Sequence, residues 1–141
     1  MSSQHKFPGL VILTGDDGEF LGILSFVLNS EGFRTLSAIG DAALESLLQQ
    51  EPPQLVVLDT FDGLSRVGVA VEGVRRHTQG PIIILATQQD FPAVRHAYGS
   101  EQVDVIPKPF PMKDLLTRMT ARLEAGLNKK GGGLPSAPPL T

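Results

Sequence analysis

Leu55-Val56-Val57-Leu58-Asp59 is four apolar residues in succession, entered from Pro52-Pro53 and closed by a carboxylate. A run this short, apolar at every position and bounded by turn residues, reads as a strand buried on both faces of a parallel sheet. Three more runs have the same build. Val11-Ile12-Leu13-Thr14-Gly15 leads into Asp16-Asp17, Ile82-Ile83-Ile84-Leu85-Ala86 ends at Thr87, and Val103-Asp104-Val105-Ile106-Pro107 ends at Lys108. In an open parallel sheet, ligands sit at the carboxyl ends of the strands. The pattern therefore predicts three carboxylates, a hydroxyl and an ammonium in one crevice.

Helical patterns separate the runs. From Glu19 to about Ser30, Phe20, Ile23, Leu24, Val27 and Leu28 recur at helical spacing, and Glu31-Gly32 closes the pattern as a C-cap. Phe33 to Ala38 reads as a short strand, and Asp41 as the N-cap of a helix carrying Leu44, Leu47 and Leu48. Further helices are predicted over about 66–77, where Gly68 and Gly73 weaken the pattern, and over about 91–98. The last runs from about Pro111, favourable at a first helical position, to Leu127. Five strands alternating with five helices predict an α/β fold, a doubly wound parallel sheet covered on both faces. We expect a disordered start over 1–7, one domain over 8–127, and a Gly/Pro-rich flexible tail or linker over 128–141 with a reach of about 20 Å.

The bulk numbers exclude several classes. A chain of 141 residues is one domain by length, and its 41% hydrophobic and 19% charged content is that of a globular protein. The net charge of −3 lacks the basic footprint of a nucleic-acid binder. Zero cysteines exclude disulfides and thiol chemistry. No apolar stretch approaches the roughly 20 residues of a membrane span, and no signal-peptide pattern opens the chain. A cytoplasmic location with no membrane partner is the expectation. His5, His77 and His96 show no metal or triad spacing and read as structural.

Taken singly, each candidate has a plain alternative: a turn with an N-cap for Asp16-Asp17, a cap for Asp59, a solvated lysine for Lys108. Their conjunction points to phosphoryl chemistry. Clustered carboxylates repel and raise one another's pKa, which a hard divalent cation relieves; magnesium takes one or two carboxylates plus a phosphate. Asp16, Asp17 and Asp59, with the backbone carbonyl of Phe61, are the candidate ligands. Asp59 is the candidate nucleophile, since aspartate forms acyl phosphates. Lys108 and Thr87 then serve the remaining phosphoryl oxygens.

These residues make the chain resemble the receiver domain of bacterial two-component response regulators, over about residues 8–127. The resemblance rests on the four strand-end motifs, on Lys108-Pro109-Phe110, on Gly40 with Ala43-Leu44, and on Pro52-Pro53. It implies a flavodoxin-like sheet in the order 2-1-3-4-5, with Asp59 accepting phosphate from a histidine kinase or phosphotransfer protein. It further implies magnesium at Asp16 and Asp17, Thr87 following the phosphoryl group, Lys108 pairing with it, and a cis Lys108–Pro109 bond. The output domain or downstream partner would read the fourth helix, fifth strand and fifth helix, where Arg95, His96, Tyr98, Lys113 and Arg118 are the candidates. Self-association into a homodimer stays open.

The chain departs from the family in four places, one of them the segment 98–104, which is short for the family. The loop after Asp59 reads Thr60-Phe61-Asp62-Gly63-Leu64-Ser65-Arg66, without the usual proline; Gln88 replaces a small residue after Thr87; Val105 stands where an aromatic side chain usually swings. These departures motivate an alternative, a degenerate receiver serving as a phosphorylation-independent interaction module. An aspartyl-phosphate hydrolase of the haloacid dehalogenase type fits less well, because Phe61 occupies the place of its second aspartate and Asp16-Asp17 precede everything.

Overall fold

In the computed structural model, which describes residues 5–60 and 64–131, the elements alternate strictly. They are β1 (Phe7–Gly15), α1 (Gly18–Ser30), β2 (Phe33–Ile39), α2 (Asp41–Gln50) and β3 (Leu55–Asp59). Then follow α3 (Leu64–Arg75), β4 (Ile82–Thr87), α4 (Phe91–Tyr98), β5 (Val103–Lys108) and α5 (Met112–Gly131). The five strands form one sheet in the order β2-β1-β3-β4-β5, and every pairing is parallel. This is the doubly wound flavodoxin-like fold that the strand pattern and the resemblance predicted.

Strand periodicity divides the core. Val11, Leu13, Val57, Ile83 and Leu85 project to one face, against Leu21, Leu24 and Leu28 of α1 and Leu115, Met119 and Leu123 of α5. Leu10, Ile12, Val56, Leu58, Ile82 and Ile84 project to the other, against α2, α3 and α4. A strand buried on both faces has no polar positions to alternate, hence the unbroken apolar runs.

Several boundaries differ from expectation. β1 starts at Phe7 rather than about residue 9, because the Phe7 ring is buried and stacked on Phe33 with centroids 4.9 Å apart, and its N–H donates to Gly32 O. The expected disordered start thus loses its last residue to the sheet, and residues 1–4 lie outside the described ones. Asp41 is the first helical residue of α2, not its cap; Gly40 holds the cap position with φ +88°, a conformation that favours glycine, and no side chain caps the helix. α5 begins one residue after Pro111 and continues past Leu127 to Gly131, since nothing breaks a helix before the glycine triplet. Of the predicted tail, residues 132–141 lie outside the described ones. Among the described residues no helix is long and apolar enough to cross a membrane.

The weakest helical pattern is a real helix. Gly68 allows α3 to meet α4: a Cβ there would lie 2.5 Å from the Tyr98 hydroxyl oxygen. Tyr98 is half-buried and packs on the core beneath α3 and α4.

Candidate functional site

The carboxyl ends of β1, β3, β4 and β5 meet at one edge of the sheet; β3, β4 and β5 each end on a residue singled out above, and Asp16-Asp17 follow β1 directly. Asp59 closes β3, and Thr87 of β4 pairs in register with Lys108 of β5. The close approach of β1 to β3 depends on Gly15, where a Cβ would stand 2.9 Å from the Asp59 carbonyl oxygen. The Lys108–Pro109 peptide is cis.

Asp59 is the centre of the site. Its side chain is 1% exposed, and its Oδ1 accepts a hydrogen bond from Lys108 Nζ at 2.7 Å. Lys108 Nζ also donates to Thr60 O at 2.8 Å. Asp59 Oδ2 is buried without a hydrogen-bond partner among the described residues. Burial pushes the Asp59 carboxyl above the ordinary aspartate range; Lys108 opposes this, and the charges of Asp17 and Asp16 add to it. A buried carboxylate with one orphaned oxygen is an acceptor waiting for a partner.

The neighbouring carboxylates are already engaged. Asp17 caps α1, its Oδ1 accepting from Phe20 N–H at 3.1 Å. Asp16 turns outward and pairs with Arg66 of α3, whose Nη2 lies 3.0 and 3.2 Å from its two oxygens. The charges of Asp16 and Asp17 bear on Asp59, yet among the described residues no three metal-ligating side chains converge on one point. Sequence proximity brought Asp16 and Asp17 to the crevice; the capping bond and the ion pair decide where their oxygens point. Phe61, the fourth candidate ligand, lies outside the described residues. The donor chemistry, hard carboxylate oxygens of Asp16 and Asp59 lining one cavity, is of the type magnesium takes.

Thr87 sits at the rim beside Lys108, with its Oγ1 accepting from Asp90 N–H at 3.1 Å, so its hydroxyl is held in the β4–α4 turn. Gln88 is exposed, and Val105 is half-buried against the core under α4. A cavity of about 30 Å³ opens between Asp16, Asp59 and Arg66, room for about two waters. Arg66 is the site residue that sequence reasoning missed: seven residues beyond Asp59, nothing in its spacing names Asp16 as its partner. Of the output candidates, Arg95, His96 and Lys113 are exposed, and Arg118 pairs with Asp104 at 3.6 Å.

No family model matches the chain. It is 34% identical over 116 residues to the DNA-binding response regulator MtrA of Mycobacterium tuberculosis, covering 80% of this chain and 50% of MtrA. The chain thus spans about half the length of the curated relatives it matches. Among solved structures, that of a transiently phosphorylated switch in bacterial signal transduction superposes with a TM-score of 0.70 at 22% identity, covering 83% of this chain and 95% of the other. A response regulator receiver protein from Sinorhizobium medicae also superposes with a TM-score of 0.70, at 19% identity, covering 84% of this chain and 96% of its own.

Proposed function

The chain carries a response regulator receiver domain, and from that premise we propose that it is a phosphorylation-dependent signalling switch with Asp59 as the phosphoacceptor. The observation that carries the reading is the asymmetry of buried Asp59, one oxygen bonded to Lys108 and the other without a hydrogen-bond partner among the described residues. In this reading Oδ2 forms the new bond to phosphorus as the bond to a kinase phosphohistidine nitrogen breaks, and the freed imidazole leaves. Lys108 holds Oδ1, fixes the carboxylate plane, and provides a point charge beside the arriving phosphoryl group. Asp16, Asp17 and Asp59, with the Phe61 carbonyl as a further candidate, would hold magnesium, which would supply charge neutralisation of a phosphoryl oxygen.

Phosphorylation adds about −1.5 to −2 charges and strong acceptor oxygens at this edge. The Thr87 hydroxyl exchanges the Asp90 N–H for a phosphoryl oxygen, and the β4–α4 turn moves with it. An output domain or partner protein reads that movement. The DNA binding named for MtrA belongs to a longer protein, of which this chain matches half, and no nucleic-acid contact is proposed for this chain. The switch operates in the cytoplasm and catalyses nothing beyond its own phosphorylation and dephosphorylation.

A second reading, a phosphorylation-independent interaction module, is favoured by two observations: Val105 cannot swing as an aromatic does, and Arg66 already neutralises Asp16. One experiment separates them. The protein is incubated with magnesium and a small acyl phosphate, and intact mass is measured beside an Asp59→Asn control. A gain of one phosphoryl group in wild type alone supports the switch. No gain moves the function to the interaction module, and a gain in the Asn variant removes Asp59 from its role.

A further inference from the structure

We propose that Arg66 is a tethered counter-ion for Asp16 that competes with the divalent cation, so that the metal enters this crevice only by displacing a guanidinium. The inference rests on the metal-assisted reading above and adds to it a residue that sets metal affinity. Arg66 Nη2 lies 3.0 and 3.2 Å from the two oxygens of Asp16, so a metal taking either oxygen meets the guanidinium as a competing charge. The pair borders the same cavity as Asp59, whose orphaned Oδ2 is the one acidic oxygen there that is buried and without a hydrogen-bond partner among the described residues. Two cations therefore already serve the acidic edge, Lys108 on Asp59 and Arg66 on Asp16.

The two cations are unequal. The Lys108–Asp59 contact is largely buried, with side-chain exposures of 19% and 1%, whereas Arg66 and Asp16 are 48% and 40% exposed. An exposed pair is screened and weak, so it yields to a divalent ion rather than excluding it. Arg66 sits in the first turns of α3, and its release accompanies metal entry; Lys108 stays on Asp59 throughout. Exposed pairs of this kind translate into a roughly two- to fivefold effect on the competing equilibrium. Added salt weakens the pair and shrinks that effect.

The test is a titration with Mn²⁺, followed by water-proton relaxation, which reports bound metal directly and needs no phosphorylation. Wild type, Arg66→Gln, Arg66→Lys and Asp16→Asn are compared at low and high sodium chloride, each checked for folding by circular dichroism. The expected result is binding two- to fivefold tighter in Arg66→Gln, a value near wild type in Arg66→Lys, weaker binding in Asp16→Asn, and a Gln-to-wild-type ratio approaching one at high salt. If Asp16→Asn weakens binding while Arg66→Gln equals or falls below wild type, the competition is overturned and the metal site stands. If Asp16→Asn leaves binding unchanged, the metal is not held at Asp16 and both the competition and the metal-assisted reading fall.

Discussion

Lys108 Nζ lies 2.7 Å from Asp59 Oδ1 and also donates, at 2.8 Å, to the Thr60 carbonyl. The carboxylate is fixed by that contact, and among the described residues its Oδ2 has no hydrogen-bond partner. Lys108 opposes the rise in proton affinity that burial causes, but the rise prevails. The site is thus held in geometry and under tension in charge.

That tension has a sign. The Asp59 pKa is raised in the folded state, so its stabilising contribution is full below the unfolded aspartate value and is lost as pH rises through the folded one. In buffer with chelator at neutral pH, Asp59→Asn is expected to raise the melting temperature by a few degrees, at ~4 °C per kcal/mol for a domain of this size. The gap should close as pH falls to the ordinary aspartate range. Calorimetry at several pH values checks this, and a lower melting temperature for the variant at pH 7 would show that Lys108 outweighs burial.

Gly68→Ala is expected to have opposite effects in two backgrounds. With Tyr98 present, the new Cβ meets the phenol oxygen at 2.5 Å, an overpacking worth about 1–3 kcal/mol of destabilisation. With Tyr98→Phe, the nearest ring atom, Cζ, is 3.6 Å away, and the helix-interior gain of about 0.5–1 kcal/mol from glycine to alanine emerges. Denaturant unfolding of the four proteins completes the cycle.

Gly15→Ala should damage both stability and chemistry. Its Cβ would lie 2.9 Å from Asp59 O and 3.2 Å from Asp59 Cβ, and neither strand can yield freely. A loss of about 1–3 kcal/mol is expected, together with slower acyl-phosphate formation as Asp59 shifts. Unfolding curves and the mass assay measure the two effects separately.

Thr14→Val removes a buried hydroxyl that donates to Ala38 O at 2.9 Å, tying β1 to the edge strand β2. A loss of about 1–2 kcal/mol is expected, seen as a lower urea midpoint at unchanged slope.

The fold was legible because strands such as Ile82–Ala86 are buried on both faces and carry no polar position to obscure them. Elements whose residues answer to a distant partner were harder to read. The helix at Gly68 looks weak until Tyr98 arrives across from it, and Phe7 looks like terminal debris until Phe33 stacks upon it. Strand ends likewise placed Asp59, Thr87 and Lys108 in the sequence pattern, since position alone brings them to one edge. Where the oxygens of Asp16, Asp17 and Thr87 point is decided by Arg66, Phe20 N–H and Asp90 N–H, partners that periodicity does not name.

The wedge between α3 and α4 carries an optical consequence. The chain holds one tyrosine and no tryptophan, and that tyrosine is Tyr98, seated over Gly68. Ultraviolet emission excited at wavelengths where the seven phenylalanines do not absorb therefore arises from one residue at one helix–helix contact. The protein is labelled there by its own composition, and quenching or lifetime measurements on unmodified material read that contact without an added dye.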